Sequence, residues 1–273
     1  MVSQEQRRRQ LAREKFLRQQ QRRTSARRKA RMRNAVIASV LGVVVIGSLA
    51  LYTTGVLKGD GSGKENAGAE VTPSATPSKA PDPCEKPAEG KVKTATWKKE
   101  PALTVDKSAK YTMKLATTCG DIDIALKASA APHTVNSFDF LAGKGYFDHS
   151  KCHRLTTNGI YVLQCGDPTG TGTGGPGYNI PDENLKDKSL KSNIYPAGTV
   201  AMANTGQKNS GGSQFFLVYQ DSQLPPSYTP FGTVSESGMK VLKKIADAGE
   251  STGQGDGAPN ATVVIDKATV TKS

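Results

Sequence analysis

Tryptophan occurs once in these 273 residues, histidine three times and cysteine four times. Each scarcity removes a class of chemistry. The histidines (His133, His149, His153) and the cysteines (Cys84, Cys119, Cys152, Cys165) contain no CxxC pair. No spacing suits a zinc site, so neither a metal nor a cofactor is expected. The glycine-rich run 168–177 (PTGTGTGGPG) lacks the Gly-Lys-Ser/Thr ending of a phosphate-binding loop and opens no clear helix. It reads as a surface loop. Acidic residues are nearly missing from one end: residues 1–33 hold eleven Arg and two Lys against only Glu5 and Glu14. That tail supplies +11 of the formal net charge of +13, so the remainder is close to neutral and the basic balance says little about any folded part.

Charge is absent altogether from 35–57 (AVIASVLGVVVIGSLALYTTGVL), a run of 23 residues. A helix of that length covers roughly 34 Å, against about 30 Å for a bilayer core. Arg and Lys packed just before a span favour holding that end in the cytoplasm. The pattern predicts a cell-membrane protein with a single anchor over 34–57, the tail 1–33 inside and the rest of the chain outside. Two readings compete for this end. A basic tail can bind nucleic acid through phosphates, but one abutting a span is explained by topology, and no nucleic-acid partner is expected. A cleaved signal peptide has an apolar region of only about 7–15 residues, and Ser48-Leu49-Ala50 is a weak small-x-small candidate. The four cysteines all lie beyond the span, where disulfides persist.

Residues 58–90 are rich in Gly, Pro, Ser, Thr and Ala and poor in large apolar side chains. Such a stretch buries too little surface to offset its ordering entropy. The segment 58–107 is read as a flexible tether, with Trp97, in the ambiguous part 91–107, able to pack on the domain beyond it.

From 108 to 273 the texture is that of a folded domain. YTMKLAT (111–117) and DIDIAL (121–126) alternate apolar and polar residues as half-buried strands do, and Cys119-Gly120-Asp121 reads as the turn between them. Further strands are expected at 152–156, 160–165, 198–204, 213–219, 230–234 and 261–270. One helix should open at Pro132, with Val135, Phe138 and Leu141 at helical spacing, and a second should cover 237–247. Many short strands with two helices predict a mainly β, antiparallel barrel capped at its ends.

Three segments carry more than structure: CHRLTTNGIYVLQCGD (152–167), AMANTG (201–206) and GGSQFF (211–216). In this order they resemble the cyclophilin family over residues 109–271, and within it the membrane-anchored, extracytoplasmic members of actinobacteria. The resemblance implies a closed eight-stranded antiparallel barrel with two helices, and peptidyl-prolyl cis-trans isomerase activity on exported or envelope proteins. Its partners would be proline-containing polypeptides. A chaperone module that grips proline segments with little turnover is the alternative.

The implied reaction turns an X-Pro amide past a barrier of about 18–20 kcal/mol. It needs no nucleophile. The amide loses resonance as its nitrogen becomes pyramidal, and a donor aimed at that nitrogen favours the twisted state. By resemblance Arg154 is that donor and Gln164 its catalytic companion, while Tyr161, Val162, Phe216 and Leu224 build the apolar slot for the proline ring. Ala203 (through its backbone), Asn204, Gln164 and Gln214 hold the substrate backbone, and Tyr228 closes the slot's edge. Strand alternation sends Phe215 and Phe216 to opposite faces, Phe216 toward the slot and Phe215 to the core. His153 alternates with Arg154 and should face away from the site.

The chain departs from the family at several of these positions. Gln223 stands where a Trp or Phe is common, and Tyr228 where a His is common. Tyr161 and Val162 replace the usual Phe and Met, and the hairpin between Arg154 and Gln164 is longer. Loss of the aromatic at 223 implies weak inhibition by cyclosporin, the family's cyclic-peptide inhibitor. The four cysteines permit three pairings. Cys152 with Cys165 across the hairpin and Cys84 with Cys119 are expected, provided that Cys152 does not point outward.

Overall fold

The computed structural model describes residues 81–273. The basic tail, the expected span 34–57 and the first part of the tether lie outside the described residues. Among the described residues no helix is long and apolar enough to cross a membrane.

Strands β1 (Tyr111–Thr117) and β2 (Gly120–Leu126) form the expected hairpin. Their alternation is realised directly: Tyr111, Met113 and Leu115 on one strand and Ile122, Ile124 and Leu126 on the other point into the core. Helix α1 (Pro132–Gly143) comes next. Then come β3 (Ser150–Lys151), β4 (Arg154–Thr156), β5 (Val162–Cys165), β6 (Ile194–Tyr195), β7 (Thr199–Met202), β8 (Phe215–Val218), β9 (Ser222–Gln223) and β10 (Pro230–Val234). Helix α2 (Glu236–Asp247), β11 (Asp256–Gly257) and β12 (Val264–Lys272) complete the chain.

Ten strands join in one curled antiparallel sheet in the order β11-β4-β5-β8-β7-β10-β2-β1-β12-β3, and β6 pairs with β9 apart from it. The fold is therefore mainly β with two helices, as expected. No ladder joins the two terminal strands β11 and β3, so the expected closed eight-stranded barrel is seen as a curled ten-stranded sheet. Around Cys152 and His153 the chain changes neighbours: Cys152 N–H donates to Val263 O (2.9 Å) and the next N–H, of His153, to Gln164 O (3.1 Å).

Although aromatics make up only 6% of the chain, they concentrate in the core. The Phe138 ring on α1 meets Phe231 at 4.6 Å, Phe147 at 5.2 Å and Phe215 at 5.4 Å. The two helices are capped differently. Ser235 caps α2 locally, its Oγ accepting Gly238 N–H (3.1 Å). Ala131 offers α1 no cap; Glu183, fifty residues on, takes the His133 and Thr134 N–H groups at 3.0 and 2.9 Å instead.

The tether gives way earlier than expected. Residues 81–107 have no regular structure, but they are strapped to the domain. Cys84 is bonded to Cys119, and Glu85 N–H donates to Thr118 O (2.8 Å). The Trp97 ring packs on Phe140 (5.2 Å) and Tyr146 (5.8 Å). Asn136 binds four strap positions, its Nδ2 donating to Pro101 O (3.4 Å) and Ala102 O (3.0 Å) and its Oδ1 accepting Thr104 and Val105 N–H (2.8 and 3.2 Å). The reading of 81–107 as flexible is thus corrected: a covalent bond and one indole supply the burial that composition did not suggest. The second expected disulfide, Cys152–Cys165, is also present, with both residues buried.

Candidate active site

Strand register sets out the site. Arg154 on β4 lies opposite Gln164 on β5, Gln164 opposite Phe216 on β8, and Phe216 opposite Ala201 on β7. Four strands thus carry one row of residues, and residues opposite one another share a sheet face. Val162, two residues before Gln164, shares that face and lies opposite Val218.

Side-chain hydrogen bonds continue the row. Arg154 Nη1 donates to Gln164 Oε1 (3.2 Å), Gln164 Nε2 to Gln214 Oε1 (2.9 Å), and Gln214 Nε2 to the Gly174 carbonyl (2.9 Å). On its other side Arg154 meets Asp256 of β11, Nε to Oδ1 at 2.7 Å and Nη2 to Oδ2 at 2.8 Å. This contact with Asp256 raises the guanidinium's pKa further and lowers the carboxylate's. Asp256 was not anticipated. It lies in 251–260 (STGQGDGAPN), a loop-like stretch with no periodicity to orient it.

Beside the guanidinium is an apolar cluster of Val162, Tyr195, Ala201, Phe216 and Val218, flanked by Ile160, Leu190, Ala203, Leu224 and Tyr228. Tyr228 packs edge-on to Phe216, centroids 5.4 Å apart. Val162, Phe216, Leu224 and Tyr228 are therefore brought together as expected. Tyr161 is not. Its ring packs against Tyr219 (5.9 Å), because alternation turns it from the face that Val162 and Gln164 share; Ile160 occupies the position expected of it. Tyr195 was missed for want of any local signal.

Beyond Gln164 a groove of about 540 Å³ is lined by Gly172–Asn179, Ala203, Asn204, Gly212 and Gln214, among others. The Asn204 side chain is engaged on both sides, Nδ2 donating to Ser227 O (2.7 Å) and Oδ1 accepting Gly206 N–H (2.9 Å). The glycine-rich loop above the groove folds around the buried Asp167. That carboxylate accepts N–H groups from Thr169 (2.7 Å), Thr171 (3.1 Å), Gly172 (2.6 Å) and Gly174 (3.1 Å). Burial raises its pKa, but these hydrogen bonds outweigh it and hold the group at about 2. The loop's N–H donors, which a phosphate would need, are spent on the protein's own carboxylate. Gly174 approaches Asp167 so closely that a Cβ would collide with it.

His153 is half-buried, with both ring nitrogens shielded from solvent and neither holding a hydrogen-bond partner. Burial lowers its pKa, which suits a neutral packed ring. No group of three or more His, Cys, Asp or Glu among the described residues could hold a metal ion.

Residues 112–270 match the family model described as cyclophilin type peptidyl-prolyl cis-trans isomerase/CLD. The chain belongs to this family. Among curated relatives, the probable peptidyl-prolyl cis-trans isomerase B of Mycobacterium leprae is 47% identical over 196 residues, 69% of this chain and 62% of the relative. Its namesake in Mycobacterium tuberculosis is 44% identical over 208 residues, 73% of this chain and 63% of the relative. The alignments thus span under two thirds of these mycobacterial relatives. A solved cyclophilin-type isomerase of Cryptosporidium parvum superposes with a TM-score of 0.50 at 26% identity, covering 60% of this chain and 99% of that one. The same protein solved in the presence of the dipeptide Ala-Pro gives a TM-score of 0.50 at 27% identity, over 59% of this chain and 99% of that one. Residues 112–270 of this cyclophilin, the part that the family model matches, contain the row Arg154–Gln164–Phe216 and the groove but not the strap 81–107.

Proposed function

We propose that the protein is a peptidyl-prolyl cis-trans isomerase acting on X-Pro bonds of exported or envelope proteins. The observation that carries this reading is the shared face on which Arg154, Gln164 and Phe216 stand in register. A guanidinium has five N–H donors. Asp256 takes two and Gln164 one, which leaves one on Nη1 and one on Nη2 for a substrate. The proline ring enters the apolar slot of Phe216, Val162, Leu224 and Tyr228. Its amide then lies beside a fixed positive donor, which favours the pyramidal nitrogen of the twisted state over the planar ground state. Gln164 orients the guanidinium, while Gln214, Asn204 and the Ala203 backbone line the path of the chain before the proline. The related Cryptosporidium isomerase, solved in the presence of Ala-Pro, supports a proline-containing ligand.

The same reading extends to place. Segment 34–57 anchors the chain in the cell membrane with residues 1–33 inside, and the domain works outside the cytoplasm. Two disulfides that together use all four cysteines support an oxidising compartment.

A protease-free assay of prolyl isomerisation on the full chain and its Arg154→Ala variant tests the proposal. The wild type should accelerate exchange that otherwise takes about tens to hundreds of seconds, and the variant should lose about 10²-fold in kcat/KM. No acceleration by the wild type rejects the enzyme and leaves a proline-binding chaperone module. Equal acceleration by both rejects the role of Arg154.

A further inference from the structure

Arg154 is gripped from two sides, and the reaction as described uses only one of them. Gln164 touches a single nitrogen at 3.2 Å, whereas Asp256 takes Nε and Nη2 together at 2.7 and 2.8 Å. The second contact is the planar, two-point geometry that a guanidinium offers a carboxylate. Its surroundings argue against a role in stability. The side chains of Arg154 and Asp256 are 39% and 55% exposed, and ion pairs so open to water add little to folding.

The carboxylate is nevertheless built into a rigid support. Asp256 and Gly257 pair with Thr156 and Leu155 of the strand that bears Arg154. Glu250, itself buried, organises the turn that leads to Asp256, its carboxylate accepting Thr252 N–H (2.6 Å) and Gly255 N–H (2.8 Å). The Gly255 carbonyl in turn accepts Thr157 N–H (2.9 Å).

We infer that Asp256 is a positioning residue, which rests on the isomerase reading of this site: its carboxylate fixes the plane of the Arg154 guanidinium so that the free N–H groups of Nη1 and Nη2 face the amide. Two effects oppose each other. A counter-ion weakens the positive potential that the reaction uses, and it removes the rotamer freedom that would let a long side chain swing away. At a site open to water the first effect is screened, while the second is geometric and is not. Positioning therefore wins, and loss of the carboxylate slows the reaction.

The test uses Asp256→Asn, Asp256→Glu, Arg154→Ala and the double variant Arg154→Ala/Asp256→Asn in the full chain, with kcat, KM and thermal unfolding measured for each. Asp256→Asn should lower kcat about 10-fold with KM within about twofold. Its unfolding temperature should match the wild type, and Asp256→Glu should recover part of the loss. In the Arg154→Ala background the Asn substitution should change nothing further, because its effect passes through the guanidinium. If Asp256→Asn keeps wild-type kcat, slows the Arg154→Ala variant by the same factor, or unfolds, the positioning role is wrong while the isomerase stands. If the wild type itself gives no acceleration, both readings fall.

Discussion

The Tyr195 hydroxyl donates to the Tyr228 carbonyl at 2.8 Å and accepts the Tyr228 N–H at 3.3 Å. One buried phenol thus closes both backbone groups of a residue at the slot's edge. Burial pushes its pKa up to about 12, so it remains a donor throughout the neutral range. Tyr195→Phe keeps the ring packing and removes only this double tie. It should cost about 1–2 kcal/mol by denaturant unfolding, the usual loss when a buried partner goes missing. It should also raise KM more than it lowers kcat, since the slot's edge loosens while Arg154 stays in place. Unchanged stability would show that water replaces the hydroxyl without loss.

How much of the site could be read from the chain depends on the range over which its residues act. Hairpin β1–β2 was legible because Met113, Leu115, Ile122 and Ile124 alternate within single strands. The Arg154–Gln164 pairing was legible from motif order. Tyr161 shows the two kinds of evidence in conflict: the motif placed it in the slot, whereas period two places Ile160, Val162 and Gln164 on one face and sends Tyr161 to Tyr219. Asp256, Tyr195 and Glu183 act across 102, 33 and about 50 positions of sequence. Nothing in their immediate neighbours marks them out. The strap was legible only in part: composition reads 81–107 as a tether, while the expected Cys84–Cys119 bond and the packing of Trp97 are what fasten it.

Asp167 makes a prediction with a definite sign. Its pKa is held at about 2 against an ordinary 3.8. A carboxylate depressed on folding contributes stability that is complete above its unfolded pKa, and that contribution is lost as pH falls through the folded value. The window therefore runs from about pH 4 down to about pH 2, and the contribution at neutral pH is about 2 kcal/mol. Other carboxylates, Asp187 among them, are also held below the ordinary carboxylate range, so the quantity to follow is the wild type minus Asp167→Asn. Urea unfolding should give a difference that is constant from pH 7 to about pH 5 and shrinks below about pH 4. A constant difference down to pH 2.5 would mean that Asp167 titrates alike in the folded and unfolded chain, so that its hydrogen bonds do not depress it.

The strap should matter thermodynamically. Removing the Cys84–Cys119 bond by the double substitution to Ser frees a closed stretch with a sequence separation of 35 residues. That should destabilise the domain by about 2–4 kcal/mol. A fragment that begins at 108 loses in addition the Trp97 contacts and the Asn136 bonds to Ala102, Thr104 and Val105. It should unfold at lower denaturant than one beginning at 81. As the sole tryptophan, Trp97 reports its own release: its emission should shift to the red on reduction if the strap lifts. Identical midpoints for the two fragments would reduce 81–107 to an ornament.

Gln223 bears on inhibition. It lies on β9 opposite Ile194, with its side chain exposed, next to Leu224 of the apolar slot. An aromatic at this position would offer a broad apolar face, and a Trp an indole N–H as well. The amide of Gln223 supplies neither the area nor the same donor geometry. Cyclosporin should therefore inhibit only at about micromolar concentrations or above. Gln223→Trp should tighten inhibition at least about tenfold, the equivalent of one recovered hydrogen bond of about 1.4 kcal/mol, with little change in kcat because Arg154 and its partners are untouched. Low-nanomolar inhibition of the wild type would mean that Tyr228, whose ring already stands against Phe216, provides the surface that Gln223 does not.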